Sequence, residues 1–225
     1  MKLSRLFSPN PVVLTGRRLY AAAAAQARTP DFYVRMGAPD TVEGRFELYT
    51  LHVALILRRL KGQGPQAAET AQAVFDTYLK GLDDALREMG VGDLSVGKKM
   101  RKLGEAFYGR VKHYDEAFGA LPDRALLEAM IGRTVLAGQA ADAAALAEYA
   151  VTAMSQLDRL PLEAVLQGDT QWPTISTSPA CGPSPCRCRR FTEARCSVRS
   201  KPTTPRARES PRPSGWNPCP CWKLS

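Results

Sequence analysis

Cysteine is missing from the first 173 residues, histidine occurs only at His52 and His113, and apolar runs are short. Each absence removes a class of function. Neither histidine has a His or Cys partner at metal-ligand spacing, so the body carries no zinc pattern. A body without cysteine gives no reason to place it in an oxidising compartment. A membrane-spanning helix needs about 20 consecutive apolar residues, and the longest stretches here are Val53 to Leu57 and Ala21 to Ala25. Met1-Lys2-Leu3-Ser4-Arg5 has the charge of a signal n-region, but Thr15-Gly16-Arg17-Arg18 cuts short the apolar residues after it. No h-region follows, and the cytoplasm is the expected compartment.

The formal charge of +9 is unevenly spread. Up to Pro173 there are 21 Lys and Arg against 20 Asp and Glu, a net of +1. Thr174 to Ser225 holds 10 Lys and Arg, 2 Asp and Glu, all 6 cysteines and 9 of the 17 prolines, a net of +8. The basic character belongs to the tail. Composition divides the chain into an extension over residues 1–18, a body over 19–172 and a tail over 173–225.

Within the body, apolar spacing of three and four predicts helix after helix. Phe46 to Lys61 carries Phe46, Tyr49, Val53, Ile56 or Leu57, and Leu60, while Leu48, Leu51 and Leu55 widen that face. Such a helix is central and buried on two sides. Gly62-Gln63-Gly64-Pro65 ends it. The next runs from about Gln66 to Glu88, with Ala71, Val74, Phe75, Tyr78, Leu82, Ala85, Leu86 and Met89 as its stripe. After Gly90-Val91-Gly92-Asp93, Ser95 is the expected N-cap of a helix whose stripe is Val96, Met100, Leu103, Phe107, Val111, Tyr114 and Phe118. Asp123 caps a helix reaching about Ala137, and Ala141 to Leu157 gives another. Pro161 to Gln167 forms a last short one with proline at its first position. Arg17 to Ala27 is helical through its alanines. No stretch joins β-branched residues to period-two alternation. The fold class is all-α, a single multi-helix bundle.

Chemistry is hard to seat on this pattern. His52 lies within Leu51-His52-Val53, the context of a hydrogen-bonded core residue, and no nucleophile stands at a useful spacing from either histidine. Asp83-Asp84 could be a carboxylate pair, but adjacent helical residues point about 100° apart, so a solvated face explains them better. Neither G-x-x-x-x-G-K-[ST] nor G-x-G-x-x-G occurs. Gly90 and Gly92 follow a helix and supply positive φ values that end it. No catalytic, cofactor-binding or metal-ligating residue can be named, and an enzyme would need a pocket that spacing does not reveal.

One cluster stands out. Lys98, Lys99, Arg101 and Lys102 crowd the first turns of a helix, facing the positive end of its dipole, where each costs about 0.3–1 kcal/mol at most. Arg110, Lys112 and His113 extend the basic side. Two readings stay open: an ordinary lysine-rich face, or a docking surface for an acidic partner, rRNA or an anionic membrane.

The tail lacks apolar periodicity and is expected to be disordered. Cys181, Cys186, Cys188, Cys196, Cys219 and Cys221 lack the paired spacing of a zinc knuckle. A basic nucleic-acid arm is one reading. Another is out-of-frame translation of GC-rich DNA near or after Trp172, since shifting the frame of Arg199 to Ser225 by one nucleotide permits an acidic, helix-compatible string.

Two stretches resemble a known family. The first, Leu19 to Leu60, includes Ala25-Gln26-Ala27-Arg28, Phe32-Tyr33, Pro39-Asp40-Thr41-Val42-Glu43-Gly44-Arg45-Phe46-Glu47-Leu48, Leu51-His52 and Leu57-Arg58-Arg59-Leu60. The second, Phe75 to Arg110, includes Asp83-Asp84, Leu86-Arg87-Glu88-Met89-Gly90-Val91-Gly92-Asp93-Leu94-Ser95-Val96, Lys98-Lys99-Met100 and Ala106-Phe107-Tyr108-Gly109-Arg110. Together they resemble the bacterial branch of the ubiquinol–cytochrome c chaperone family. Residues 121–170 follow its helical pattern more loosely, and the tail matches nothing in it. The resemblance implies a non-catalytic assembly factor for ubiquinol–cytochrome c reductase that handles newly made cytochrome b. In mitochondrial relatives it acts with a small helper near the ribosomal exit site. It implies no cofactor and no DNA partner, and it allows peripheral contact with the inner membrane. On this reading the Lys98, Lys99, Arg101, Lys102 and Arg110 side docks, while an apolar groove beside Tyr108 or Tyr114 holds client. The competing reading is a ribosome- or RNA-binding helical module.

Overall fold

The computed structural model describes residues 10–138 and 143–175. Among them are eight helices: α1 (Pro11–Ala27), α2 (Asp31–Val34), α3 (Val42–Leu60), α4 (Pro65–Glu88), α5 (Asp93–Gly119), α6 (Ala125–Arg133), α7 (Ala143–Arg159) and α8 (Leu162–Leu166). The described residues contain no strand, so the all-α expectation holds. The expected disordered tail and its cysteines lie outside the described residues.

Helix α3 is the axis of the bundle, packed by α1, α4, α5 and α7. One side carries Leu48, Leu51, Ala54 and Leu55 into a cluster with Tyr114, Phe118, Leu127, Ile131, Leu146 and Tyr149. Another carries Val53, Ile56 and Leu60 against Leu19, Val74, Tyr78 and Phe107. The burial on two sides read from the sequence is what the packing shows. Each such Leu, Ile or Val contributes about 1.5–3 kcal/mol on leaving water.

The longest contact runs between α1 and α4. Small residues permit it. A Cβ added at Gly16 would stand 2.6 Å from the Ala73 Cβ and 2.8 Å from its carbonyl carbon, so only glycine fits there. Residues 11–18 are therefore part of the body and not an extension, with Thr15 and Gly16 buried and Asn10 capping the helix through the Val12 N–H at 3.0 Å. The body also runs past 172: Pro173 is buried and Ile175 packs on the core.

Several boundaries moved for local reasons. Helix α3 starts at Val42, four residues early, because the Thr41 hydroxyl accepts the Gly44 N–H at 3.1 Å. Ser95 is not a cap. Helix α5 starts at Asp93 with Gly92 as N-cap, since the Ser95 and Val96 N–H groups both reach the Gly92 carbonyl, at 2.9 and 3.0 Å. Gly92 has φ −69°, so only Gly90, at φ +82°, supplies the left-handed turn. That turn closes α4 as a Schellman motif, with Val91 N–H to Leu86 carbonyl and Gly90 N–H to Arg87 carbonyl. Asp123 does accept the Ala125 N–H at 2.9 Å, one position outside the formal cap. Helix α6 stops at Arg133, and Val135 and Leu136 enter the core from the turns after it. Pro161 is the cap of α8, not its first helical residue. Helix α2 gave no periodic signal because it is a single turn after Pro30.

Candidate interaction site

Successive α5 residues advance about 100° around the axis, so Leu94, Lys98, Arg101, Tyr108 and Lys112 fall within roughly 40° of one line. All five are exposed. So are Lys99 and Lys102. Arg101 reaches Glu105 at 3.1 Å, an exposed pair worth little in stability. Tyr108 is 63% exposed, and its ring centroid lies 5.4 Å from that of Phe75 on α4. Four cations and one aromatic of the sequence-predicted surface thus stand in solvent on one helix.

The other two do not join them. Arg110 forks onto Glu47 of α3, with Nε to Oε2 at 2.9 Å and Nη2 to Oε1 at 2.8 Å. Its guanidinium is spent on fastening α5 to the central helix. Tyr114 is 1% exposed within the core, and burial, reinforced by the charge of Glu47, raises the pKa of its hydroxyl. A surface partner meets neither face of that ring. The groove reading therefore reduces to the Tyr108 side.

The α4–α5 pair keeps several apolar side chains only partly covered. Leu79 and Leu82 on α4, and Met100 and Leu103 on α5, remain half-buried. Further along α5 the apolar stripe is closed, at Phe107, Tyr114 and Phe118. At the α4–α5 turn Met89 is 52% exposed and Leu94 fully so.

His52 occupies the opposite kind of place. It is fully buried between Phe32, Tyr149 and the Trp172 indole, whose centroid lies 5.1 Å away. The Leu48 carbonyl, 2.8 Å from Nδ1, can only accept, so Nδ1 holds the proton. Nε2 then accepts from the Tyr149 hydroxyl at 2.8 Å, and that hydroxyl accepts from Gln26 Nε2 at 3.0 Å. Burial pushes the imidazole down to about 4, the backbone bond to Leu48 opposing it. His52 is the hydrogen-bonded core residue that its apolar neighbours in the sequence suggested. Sequence reasoning missed Trp172, which it treated as the end of the body. The only hint was one large aromatic at the edge of the helical pattern.

The paired acidic residues also resolve as surface groups. Asp83 meets Arg87 at 2.7 Å and Asp84 meets Lys80 at 3.1 Å, each along α4. His113 is exposed, its Nδ1 at 2.7 Å from the Gly109 carbonyl.

The family model described as ubiquinol-cytochrome C chaperone matches residues 34–172. A ubiquinol-cytochrome-c reductase complex assembly factor 1 from Xenopus laevis is 26% identical over 165 residues, covering 72% of this chain and 82% of that protein. Its Mus musculus counterpart is also 26% identical, over 178 residues, and there this chain spans 60% of the relative's length. A crystal structure of the Cbp3 homolog from Brucella abortus superposes with a TM-score of 0.66 at 35% identity, covering 72% of this chain and 90% of that one. The match spans the central α3, the α4–α5 pair and the segment ending at Trp172, so the chain belongs to the ubiquinol–cytochrome c chaperone family.

Proposed function

We propose that this chain is an assembly factor for ubiquinol–cytochrome c reductase, and that it holds newly made cytochrome b by contact instead of by chemistry. The observation that carries the reading is the α4–α5 pair. It carries the half-buried apolar side chains Leu79, Leu82, Met100 and Leu103, the exposed Tyr108 and the exposed cations Lys98, Lys99, Arg101 and Lys102. New hydrophobic helices of a membrane protein need temporary apolar cover, and helix-in-groove recognition supplies it. The basic residues give a second contact, a dock, separate from the apolar one. Work at the cytoplasmic face of the inner membrane, with or without a small helper protein or the ribosome, suits such a two-sided surface. The histidine and tyrosine at the centre of the bundle are used up in holding it together.

The test is complementation of a deletion strain with Lys98→Glu/Lys99→Glu/Arg101→Glu/Lys102→Glu. Cytochrome b content and reductase activity should fall severalfold while the purified variant keeps its melting temperature. Normal assembly, or a variant that unfolds, would count against the dock. The rival reading, an RNA- or ribosome-binding module, draws on the same cations and requires retention on RNA with a steep salt dependence.

A further inference from the structure

The tip of the α4–α5 pair has a shape and chemistry of its own. Met89 is the C-cap of one helix, Leu94 lies in the first turn of the other, and both apolar side chains stand in water, Leu94 without any cover. A Cβ added at Gly90, Gly92 or Gly97 would meet nothing within 4 Å, so nothing packs against the backbone of the tip. Directly behind it lie Lys98, Lys99 and Lys102, none with an ion-pair partner among the described residues. The nearby acids are largely engaged: Asp83 and Asp93 on Arg87, Asp84 on Lys80, Glu105 on Arg101, leaving Glu88.

We propose that this tip is a membrane-docking element that inserts Met89 and Leu94 into an anionic phospholipid bilayer, with Lys98, Lys99 and Lys102 on the headgroup phosphates. The proposal deepens the assembly reading, on which it rests, by naming what the basic face docks on. Three observations favour lipid over the alternatives. Apolar side chains standing uncovered at the end of a helix pair need a matching pocket on a protein partner, whereas a bilayer deforms around them. Single-stranded RNA is held by stacking on aromatic rings, and the tip has none, Tyr108 lying about 21 Å along α5 from Leu94 at 1.5 Å per residue. The spacing also fits. Lys98 and Lys102 lie about 6 and about 12 Å behind Leu94 along the axis, and the polar layer outside the hydrocarbon core is roughly 5–8 Å thick. With Leu94 at the acyl boundary, the lysines fall in and just above the phosphate layer. Basic residues near an anionic surface and a buried apolar side chain act together in such anchors.

The experiment is co-sedimentation of the full chain with vesicles of phosphatidylcholine alone or mixed with phosphatidylglycerol. Wild type should bind the mixed vesicles and not the neutral ones. Lys98→Gln/Lys99→Gln/Lys102→Gln should weaken binding about a hundredfold, at roughly fivefold per cation. Leu94→Ser should weaken it about tenfold. All four positions are exposed, so circular dichroism should show unchanged melting for each variant. The tail carries a net +8 of its own, and the variants leave it intact. Binding that survives both sets of tip changes therefore belongs to other cations and overturns the proposal, as does a wild type that ignores anionic vesicles. A chain that restores reductase assembly in the deletion strain yet fails on vesicles sinks the lipid contact and leaves the assembly role standing.

Discussion

Replacing His52 and Tyr149 together, as His52→Leu with Tyr149→Phe, isolates what one buried imidazole does to the pH dependence of this fold. In the folded chain burial lowers the His52 pKa to about 4, against an ordinary 6.5 once the chain unfolds. Between those two values the unfolded chain takes a proton that the folded chain refuses. Stability is unaffected above about pH 7 and falls as pH drops from about 6.5 toward 4. At about 1.4 kcal/mol per tenfold difference in proton affinity, the total loss by pH 4 is about 3 kcal/mol. The double variant removes both partners of the 2.8 Å bond and leaves no buried nitrogen or hydroxyl stranded. Gln26 is only half-buried and can turn to water. At pH 7 it should therefore lie within about 1.5 kcal/mol of wild type. Tyr149→Phe alone strands Nε2 and should cost about 1–3 kcal/mol. Urea denaturation at a series of pH values measures all three, and the difference between wild type and double variant cancels the carboxylate titrations they share. That difference should tilt toward the double variant by about 3 kcal/mol on going to pH 4. Parallel curves would refute the argument, because they would mean that His52 titrates alike in both states.

Three further outcomes follow from the packing. Glu47→Ala leaves the half-buried Arg110 fork without its carboxylate and should lower stability by about 2–3 kcal/mol, a fall of roughly 4–12 °C in Tm by calorimetry. Gly16→Ala places a methyl where Ala73 stands at 2.6 Å, and spreading α1 from α4 should cost about 1–3 kcal/mol in chemical denaturation. A chain ended after Ile175 should melt with the full chain, whereas one ended at Gln171 loses the Trp172 indole against His52 and should be less stable by about 3 kcal/mol.

Helix positions were legible because burial in a bundle imposes a three-to-four spacing that the residues must carry themselves. The stripe from Val96 to Phe118 placed α5 almost entirely, and the Leu and Val side chains of α3 showed that it lies at the centre. Caps were less legible, since Gly92 and Thr41 take their roles from which N–H groups reach them, not from residue type alone. The candidate surface was half legible. Lysines crowding the start of a helix declare themselves, and Lys98, Lys99, Arg101 and Lys102 are in solvent. Arg110 and Tyr114 looked like neighbours of that surface, but a shift of a few residues turns a helical side chain from solvent to core.

By itself the sequence determined the helical class, the order of the long helices, the buried setting of His52 and the likeness to one family, because each depends on residues close together in the chain. Only the tertiary structure decided that Glu47 would claim Arg110, that Trp172 would cover His52, and that α4 and α5 would end in an uncovered apolar tip. Those outcomes join residues from 63 to more than a hundred positions apart or depend on what fails to pack nearby, and no local pattern records either.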